Sequence, residues 1–368
     1  MDGKAKALAR QGAPVLFLTL GEPDFDTPEH IKEAAAKAIR DGKTKYTPAG
    51  GIPELKEAIC RKFARENDVR YEPAETVVCV GGKQVLYNVF LAICDPGDEV
   101  LIPVPNWPTF AAQVQLAEAK PVLVPLPADK RLRADDLRPY LTPRTRALVL
   151  NSPSNPTGAV MLPEEVQAVT ELAVERGFYL VADETYEHFL YGGAKHLAPA
   201  SLGPEAKRWT IEVNTVSKTY AMTGWRIGYA AGPRDVIKAI DDLMSQTTSN
   251  PCSVSQWAAL AALDGPQESV KEMVDAFAER RQLLIDGLHT LGYRCDWPDG
   301  AFYAYPRVPD APDGGPGDSM AFALRLLEER NVATVPGSAF EDEGHLRLSY
   351  ASSRAVLAEV LERLQGLA

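Results

Sequence analysis

Seven short apolar runs lie between residues 76 and 232, and stretches of helical periodicity fall between them. The runs are "TVVCV" (76–80), "EVLIPV" (99–104), "KPVLVPL" (120–126), "RALVLN" (146–151), "FYLVADE" (178–184), "WTIEVNT" (209–215) and "WRIGYAAG" (225–232). Runs without polar alternation suit strands covered on both faces, which predicts a mostly parallel sheet in an α/β fold. "GGKQVLYNVFLAIC", "PEEVQAVTELAVERG", "DAFAERRQLLIDGLHTLG" and "SRAVLAEVLERLQGL" read as helices. The expected division is a large sheet domain over 30–270 and a smaller α+β domain built from 1–29 and 271–368. "VPDAPDGGPGDSM" (308–320) reads as an exposed loop.

A chain of 368 residues with 45% hydrophobic and 24% charged content buries a core without disulfide or metal staples. A net charge of −11 argues against a nucleic-acid partner. No apolar run is long enough for a membrane span, and "MDGKAKALARQG" lacks the apolar core of a secretory signal. Five scattered cysteines without a C-x-x-C pair read as reduced thiols of a cytoplasmic protein. No metal-ligating pattern stands out.

Open parallel sheets bind ligands beyond the carboxyl ends of their strands. Gly81, Gly82 and Lys83 follow the first run, Asn106 and Trp107 the second, and Asn155 comes soon after the fourth. Asp183 and Tyr186 close the fifth; Thr215, Ser217 and Lys218 close the sixth. The Gly-Gly turn is either an ordinary strand–helix turn or a phosphate cradle, because a helix start offers free N–H groups. Lys83 there opposes the helix dipole unless an anion lies near. Arg226, Tyr46, Thr215 and Ser217 are candidates to complete such a site. A carboxylate at Asp183 needs a cationic partner, either an arginine or a protonated ring nitrogen. Trp107 either stacks on that ring or packs in the core. Lys218 is either a solvated lysine or a cleft lysine that forms a Schiff base. Phosphate site, ring stacker, carboxylate and imine-forming lysine together describe pyridoxal 5′-phosphate.

These stretches, with "LGEPDFDTPEH", "GKTKYTPAGGIPELKEA", "NSPSNPTGAV", "VADETYEHFLY", "SKTYAMTGWRIGYAAG" and "GHLRLSYA", resemble fold-type I, class I aminotransferases over nearly the whole chain. The pattern is similar to that of bacterial aspartate aminotransferases. The resemblance implies that Lys218 anchors the cofactor and moves the proton, Asp183 holds the pyridine nitrogen, and Tyr186 and Asn155 donate to the ring oxygen. It implies that Trp107 stacks, and that Gly82, Lys83, Thr215, Ser217 and Arg226 hold the phosphate. Tyr46 would reach that phosphate from the other subunit of a homodimer with shared sites. Arg347, backed by Gly21, Trp107 and Asn155, would take the substrate α-carboxylate. Lys83 either reads a distal carboxylate or only neutralises the phosphate. Thr215 stands where serine or glycine is usual, keeping a hydroxyl. The family pattern also implies an arm of roughly fifteen to eighteen residues ahead of the point where this sequence begins, helping to cover the substrate's far end; whether its absence is a truncated start or a real difference, it weakens the dicarboxylate assignment.

The implied activity is ping-pong transfer of an amino group between an L-amino acid and a 2-oxo acid, aspartate or glutamate with 2-oxoglutarate or oxaloacetate. The alternatives are an aromatic- or prephenate-directed aminotransferase, or a lyase on the same fold. A Ser/Thr–Lys hydrolase would use "TVSK" but lacks S-D-N and K-T-G partners. A transcription regulator would need a basic DNA-binding module. Lys218→Ala is expected to abolish turnover and to leave no covalent cofactor linkage in the absorption spectrum; full activity in that variant would refute the assignment.

Overall fold

The computed structural model describes residues 1–312 and 315–367. Among these, the strands in chain order are β1 (Leu16–Phe17), β2 (Thr76–Cys79), β3 (Glu99–Val104), β4 (Lys120–Pro125), β5 (Thr145–Asn151) and β6 (Tyr179–Asp183). They continue with β7 (Thr210–Thr215), β8 (Gly228–Ala231), β9 (Tyr303–Ala304), β10 (Val332–Ala333), β11 (Val335–Pro336) and β12 (Leu346–Ser349). Each of the seven apolar runs supplies a strand of one sheet, in the order β2-β8-β7-β6-β5-β3-β4. All neighbours are parallel except β8, which is antiparallel to both β2 and β7. β2, β7 and β8 are buried at every position, as their unbroken apolar character requires.

Helices cover both faces. Val77, Cys79, Ile211 and Ala230 pack with Val85, Val89 and Ile240 on one side; Val78, Tyr229 and Ala231 pack with Ile59, Phe63 and Ala259 on the other. Pro163–Arg176 shows how the sequence delimits such a helix: a proline opens it, and Gly177 in the left-handed region closes it.

The two ends of the chain pack together. β1 pairs with β10, and the Asp2–Arg10 helix buries Ala5 against Leu327 and Ala333. β11, β12 and β9 form a three-stranded antiparallel sheet. The Glu268–Thr290 helix straddles the boundary expected at residue 270. An aromatic cluster joins the two parts of the molecule: Tyr186 and Phe189 meet Phe302 at ring separations of 5.4 and 5.5 Å, and Phe189 meets Phe277 at 5.8 Å. The loop expected over 308–320 is shorter, because Val308 is buried and a helix begins at Ser319. Residues 313 and 314 of that stretch lie outside the described residues, as does residue 368.

Behind the sheet edge lies a charged cluster that the sequence does not announce. Lys62, only 1% exposed, donates to Asn67 (2.7 Å) and contacts Glu187. Asn67 and Asn214 donate to Glu187 at 2.7 and 2.5 Å. Burial opposes ionisation of Glu187, but Lys62 and His188 overcome it and hold this carboxyl below the usual range. For Glu212, burial and the neighbouring Glu184 outweigh His196 and push the carboxyl well above the usual range. His196 and Glu184 meet nearby at 2.9 Å, so Glu184, Glu187 and His196 bring potential ligand atoms within 4.8 Å of one another. Of the charges that hold Glu187 ionised, the Lys62 ammonium acts most strongly, ahead of His188 and His196. Lys62→Met would leave Glu187 buried without its cation and is expected to cost about 3–5 kcal/mol in denaturant titration.

Candidate active site

A cavity of about 350 Å³ opens beyond the carboxyl ends of the parallel strands, a size suited to a small ligand. It is lined by Gly21, Gly82, Lys83, Trp107, Asn155, Asp183, Tyr186, Thr215, Ser217, Lys218, Arg226 and Arg347. Of the residues given a cofactor or substrate role, Tyr46 lies elsewhere, at 89% exposure, and Asn106, also placed at the strand ends, lines a neighbouring cavity instead. Asn151, Thr185 and Tyr303 also line the cavity and were not anticipated.

Strand register explains the convergence. Asn151, Asp183 and Val213 sit side by side across β5, β6 and β7, so the residues after them emerge together. Asn151 ties the loops: its Oδ1 accepts from the Asn155 N–H (2.9 Å) and its Nδ2 donates to the Asp183 carbonyl (3.3 Å). β8 runs against the turn after β2. A Cβ on Gly228 would fall 2.4 Å from the Gly82 nitrogen, and one on Gly81 would fall 2.4 Å from Arg226 Nη2. Only glycine permits this approach, and Gly81 also has φ +78°. Arg226 itself adopts φ +57°, unusual for a side chain of its size, which aims the guanidinium at the Gly-Gly turn.

Thr215 caps the Val216–Thr219 turn by accepting from the Ser217 N–H (3.1 Å), and its hydroxyl donates to the Ile227 carbonyl (2.7 Å). That proton is therefore used within the chain. Ser217, whose hydroxyl lies 2.8 Å from that of Thr215, is the better placed of the two to donate to a ligand. Lys218 Nζ donates to the Gly21 carbonyl. Burial, helped by Arg226 and Arg347, pushes its ammonium down to about 8 against the opposing pull of Glu22 and Asp183. Asp183 is buried and accepts from the Thr185 N–H (3.2 Å); burial raises its carboxyl above the ordinary range. At the opposite wall Arg347 donates to Asn155 Oδ1 and to the Thr19 carbonyl, both at 2.8 Å. Its guanidinium lies between Tyr303 and Phe340, 4.5 and 5.2 Å from their ring centres. Its Nε is buried without a partner among the described residues.

The lining therefore holds four cations, Lys83, Lys218, Arg226 and Arg347, against one carboxylate, Asp183. That imbalance suits an anion at the Gly82–Arg226 end and a carboxylate at Arg347, where the orphan Nε waits for an acceptor. The buried Asp183 suits a protonated heterocyclic nitrogen.

A family model described as aminotransferase class I and II matches residues 13–364. The chain belongs to that family. It is 48% identical to the aspartate aminotransferase of Geobacillus stearothermophilus over 98% of this chain and 93% of that protein. It is 49% identical to the aspartate/prephenate aminotransferase of Thermus thermophilus, covering 99% and 93% of the two chains. A solved structure of the Thermus thermophilus aspartate aminotransferase with maleate superposes with a TM-score of 0.95 at 48% identity, over 100% of this chain and 95% of that one. The protein is a pyridoxal-phosphate-dependent aminotransferase acting on amino acids and 2-oxo acids, which sets the lyase alternative aside. The residues present fit the cofactor: a lowered lysine for the imine, a buried carboxylate for the ring nitrogen, and the Gly82, Ser217 and Arg226 groups for the phosphate.

The sign of the pH effect follows from Lys218. A lysine that forms an imine attacks as its neutral amine, and burial moves formation of the neutral Lys218 amine down from the ordinary lysine range to about 8. Capture of pyridoxal phosphate by the cofactor-free protein should therefore rise about tenfold per pH unit below 8 and level off above it. Stopped-flow absorbance measures this; a profile still climbing steeply at pH 10 would contradict the assignment.

Proposed function

We propose that this aminotransferase prefers aspartate and glutamate as donors, with 2-oxoglutarate and oxaloacetate as acceptors. The observation that carries the reading is Lys83. Its ammonium lies 4.8 Å from the centre of the Trp107 ring, on the cavity wall, and forms no ion pair among the described residues. An unpaired cation here, with Arg347 on the other side, suits a substrate with a carboxylate at each end. The names of the relatives support this, as does maleate, a four-carbon dicarboxylate, in the Thermus structure.

Pyridoxal phosphate, when bound, supplies the electron sink for charge developing at the substrate Cα. In this reading Arg347 binds the α-carboxylate through a two-pronged contact, and Asn155 and the Thr19 carbonyl hold its orientation. With the cofactor bound, Lys218 Nζ would accept the substrate Cα proton and carry it toward the cofactor. Asp183 keeps the ring nitrogen protonated, and Tyr186 donates to the ring oxygen. Trp107 covers the ring face. Gly82, Ser217 and Arg226 hold the phosphate, with Thr215 shaping that turn. The exposed Tyr46 is proposed to complete the phosphate site of a second subunit in a homodimer, and the domain division at 29/30 and 270/271 is proposed to set the seam across which Arg347 meets the cofactor. We place the enzyme in the cytoplasm, consistent with the absence among the described residues of a helix long and apolar enough to cross a membrane.

Mixing the cofactor-loaded enzyme with L-aspartate alone should bleach the lysine-linked absorption rapidly, and far faster than L-phenylalanine or L-alanine does. Lys83→Ser should lower kcat/KM for aspartate about 10- to 100-fold, as expected for losing a hydrogen bond between charged groups, while leaving alanine little changed. Equal losses on both would reduce Lys83 to a neutraliser of the phosphate. Faster bleaching by phenylalanine would favour the aromatic or prephenate-directed reading.

A further inference from the structure

Tyr303 stands at the junction of the two halves of the site. It is fully buried on β9, and its hydroxyl lies 2.8 Å from that of Tyr186. The Arg347 guanidinium lies 4.5 Å from its ring centre. A Cβ on Gly21 would come within 3.0 Å of its hydroxyl oxygen, so the glycine leaves the hydroxyl its place. One side chain thus touches the arginine proposed to take the substrate carboxylate and the tyrosine proposed to donate to the cofactor.

The direction of the hydroxyl pair follows from the role proposed for Tyr186. Burial raises both phenols. Arg347 pulls both phenols back. Tyr186 carries a single hydroxyl hydrogen; with that hydrogen given to the ring oxygen, the 2.8 Å contact is made by Tyr303 donating and Tyr186 accepting. Tyr186 then has its own hydrogen free to point into the cavity. The charged groups that act on the pair are Arg347 from β12 and Asp183 from β6, and Lys218 lines the same cavity.

We propose that Tyr303 is a positioning residue that orients the Tyr186 proton toward the cofactor ring oxygen and supports the Arg347 guanidinium on its ring face. This rests on the role given to Tyr186 above. With the cofactor bound, a hydrogen bond donated to its ring oxygen would favour the anionic form of that oxygen and make the Lys218-linked nitrogen easier to deprotonate. Losing the Tyr303 hydroxyl weakens that donor and leaves the nitrogen protonated to higher pH.

The test is a pH titration of the lysine-linked absorption in the holoenzyme, comparing wild type with Tyr303→Phe, Tyr186→Phe and the double variant. Tyr303→Phe should raise the midpoint by roughly half a pH unit, the size of a modest hydrogen bond. Tyr186→Phe should raise it more, and the double variant should match Tyr186→Phe alone. Because phenylalanine keeps the ring under Arg347, kcat should fall in Tyr303→Phe with KM for aspartate nearly unchanged, whereas Tyr303→Leu should raise KM several-fold. A wild-type midpoint in Tyr303→Phe beside a shifted Tyr186→Phe overturns the relay alone. A shift in Tyr303→Phe beside none in Tyr186→Phe overturns both the relay and the Tyr186 assignment. Additive shifts in the double variant show that Tyr303 acts by another route and also overturn it.

Discussion

A lysine ammonium buried among carboxylates and amides secures the segments that form the back of the site. Lys62 fixes Glu187, one residue beyond Tyr186, and Glu187 accepts from Asn214. Asn214 in turn accepts from the Thr215 N–H at 2.7 Å. One ion pair from a helix on the outer layer thereby orders both the Asp183–Tyr186 segment and the turn that carries Lys218. Buried pairs of this kind add little net stability, but losing one partner is costly. Here the cost would fall on the geometry of two segments at once.

The large sheet was legible because its strands are buried on both faces. Unbroken apolar runs such as "TVVCV" and "RALVLN" leave few alternatives, and each forms a strand. The parallel arrangement then carried the site with it: polar residues directly after such runs must gather at one edge, which is why Asp183, Asn155 and Lys218 could be chosen before any coordinates. Arg347 was different. Its position on a short antiparallel strand looks like a surface arginine, and only the resemblance distinguished it.

What the sequence concealed was made by long-range contact. Tyr303 sits in "GAFYAY", where nothing separates a functional tyrosine from an ordinary aromatic core. Its significance arises from neighbours 117 and 44 positions away, Tyr186 and Arg347. Lys62 likewise belongs to an amphipathic helix in which lysines are usually solvated, and only the packing of that helix against Glu187 draws it inside. Tyr46 is assigned by the resemblance to the site of a second subunit, and in the single chain its ring is exposed.

The surplus of positive charge around the cavity has a thermodynamic consequence of its own. Four cations facing one carboxylate repel one another, and the protein carries that repulsion even though its net charge is −11. Any anion that enters relieves it and, by mass action, shifts the folding equilibrium toward the native state. Cofactor phosphate, substrate carboxylate and buffer anions therefore draw on one electrostatic reservoir. The ionic composition of the solution becomes a variable of both affinity and stability, and phosphate-rich media compete at the two ends of the same cavity.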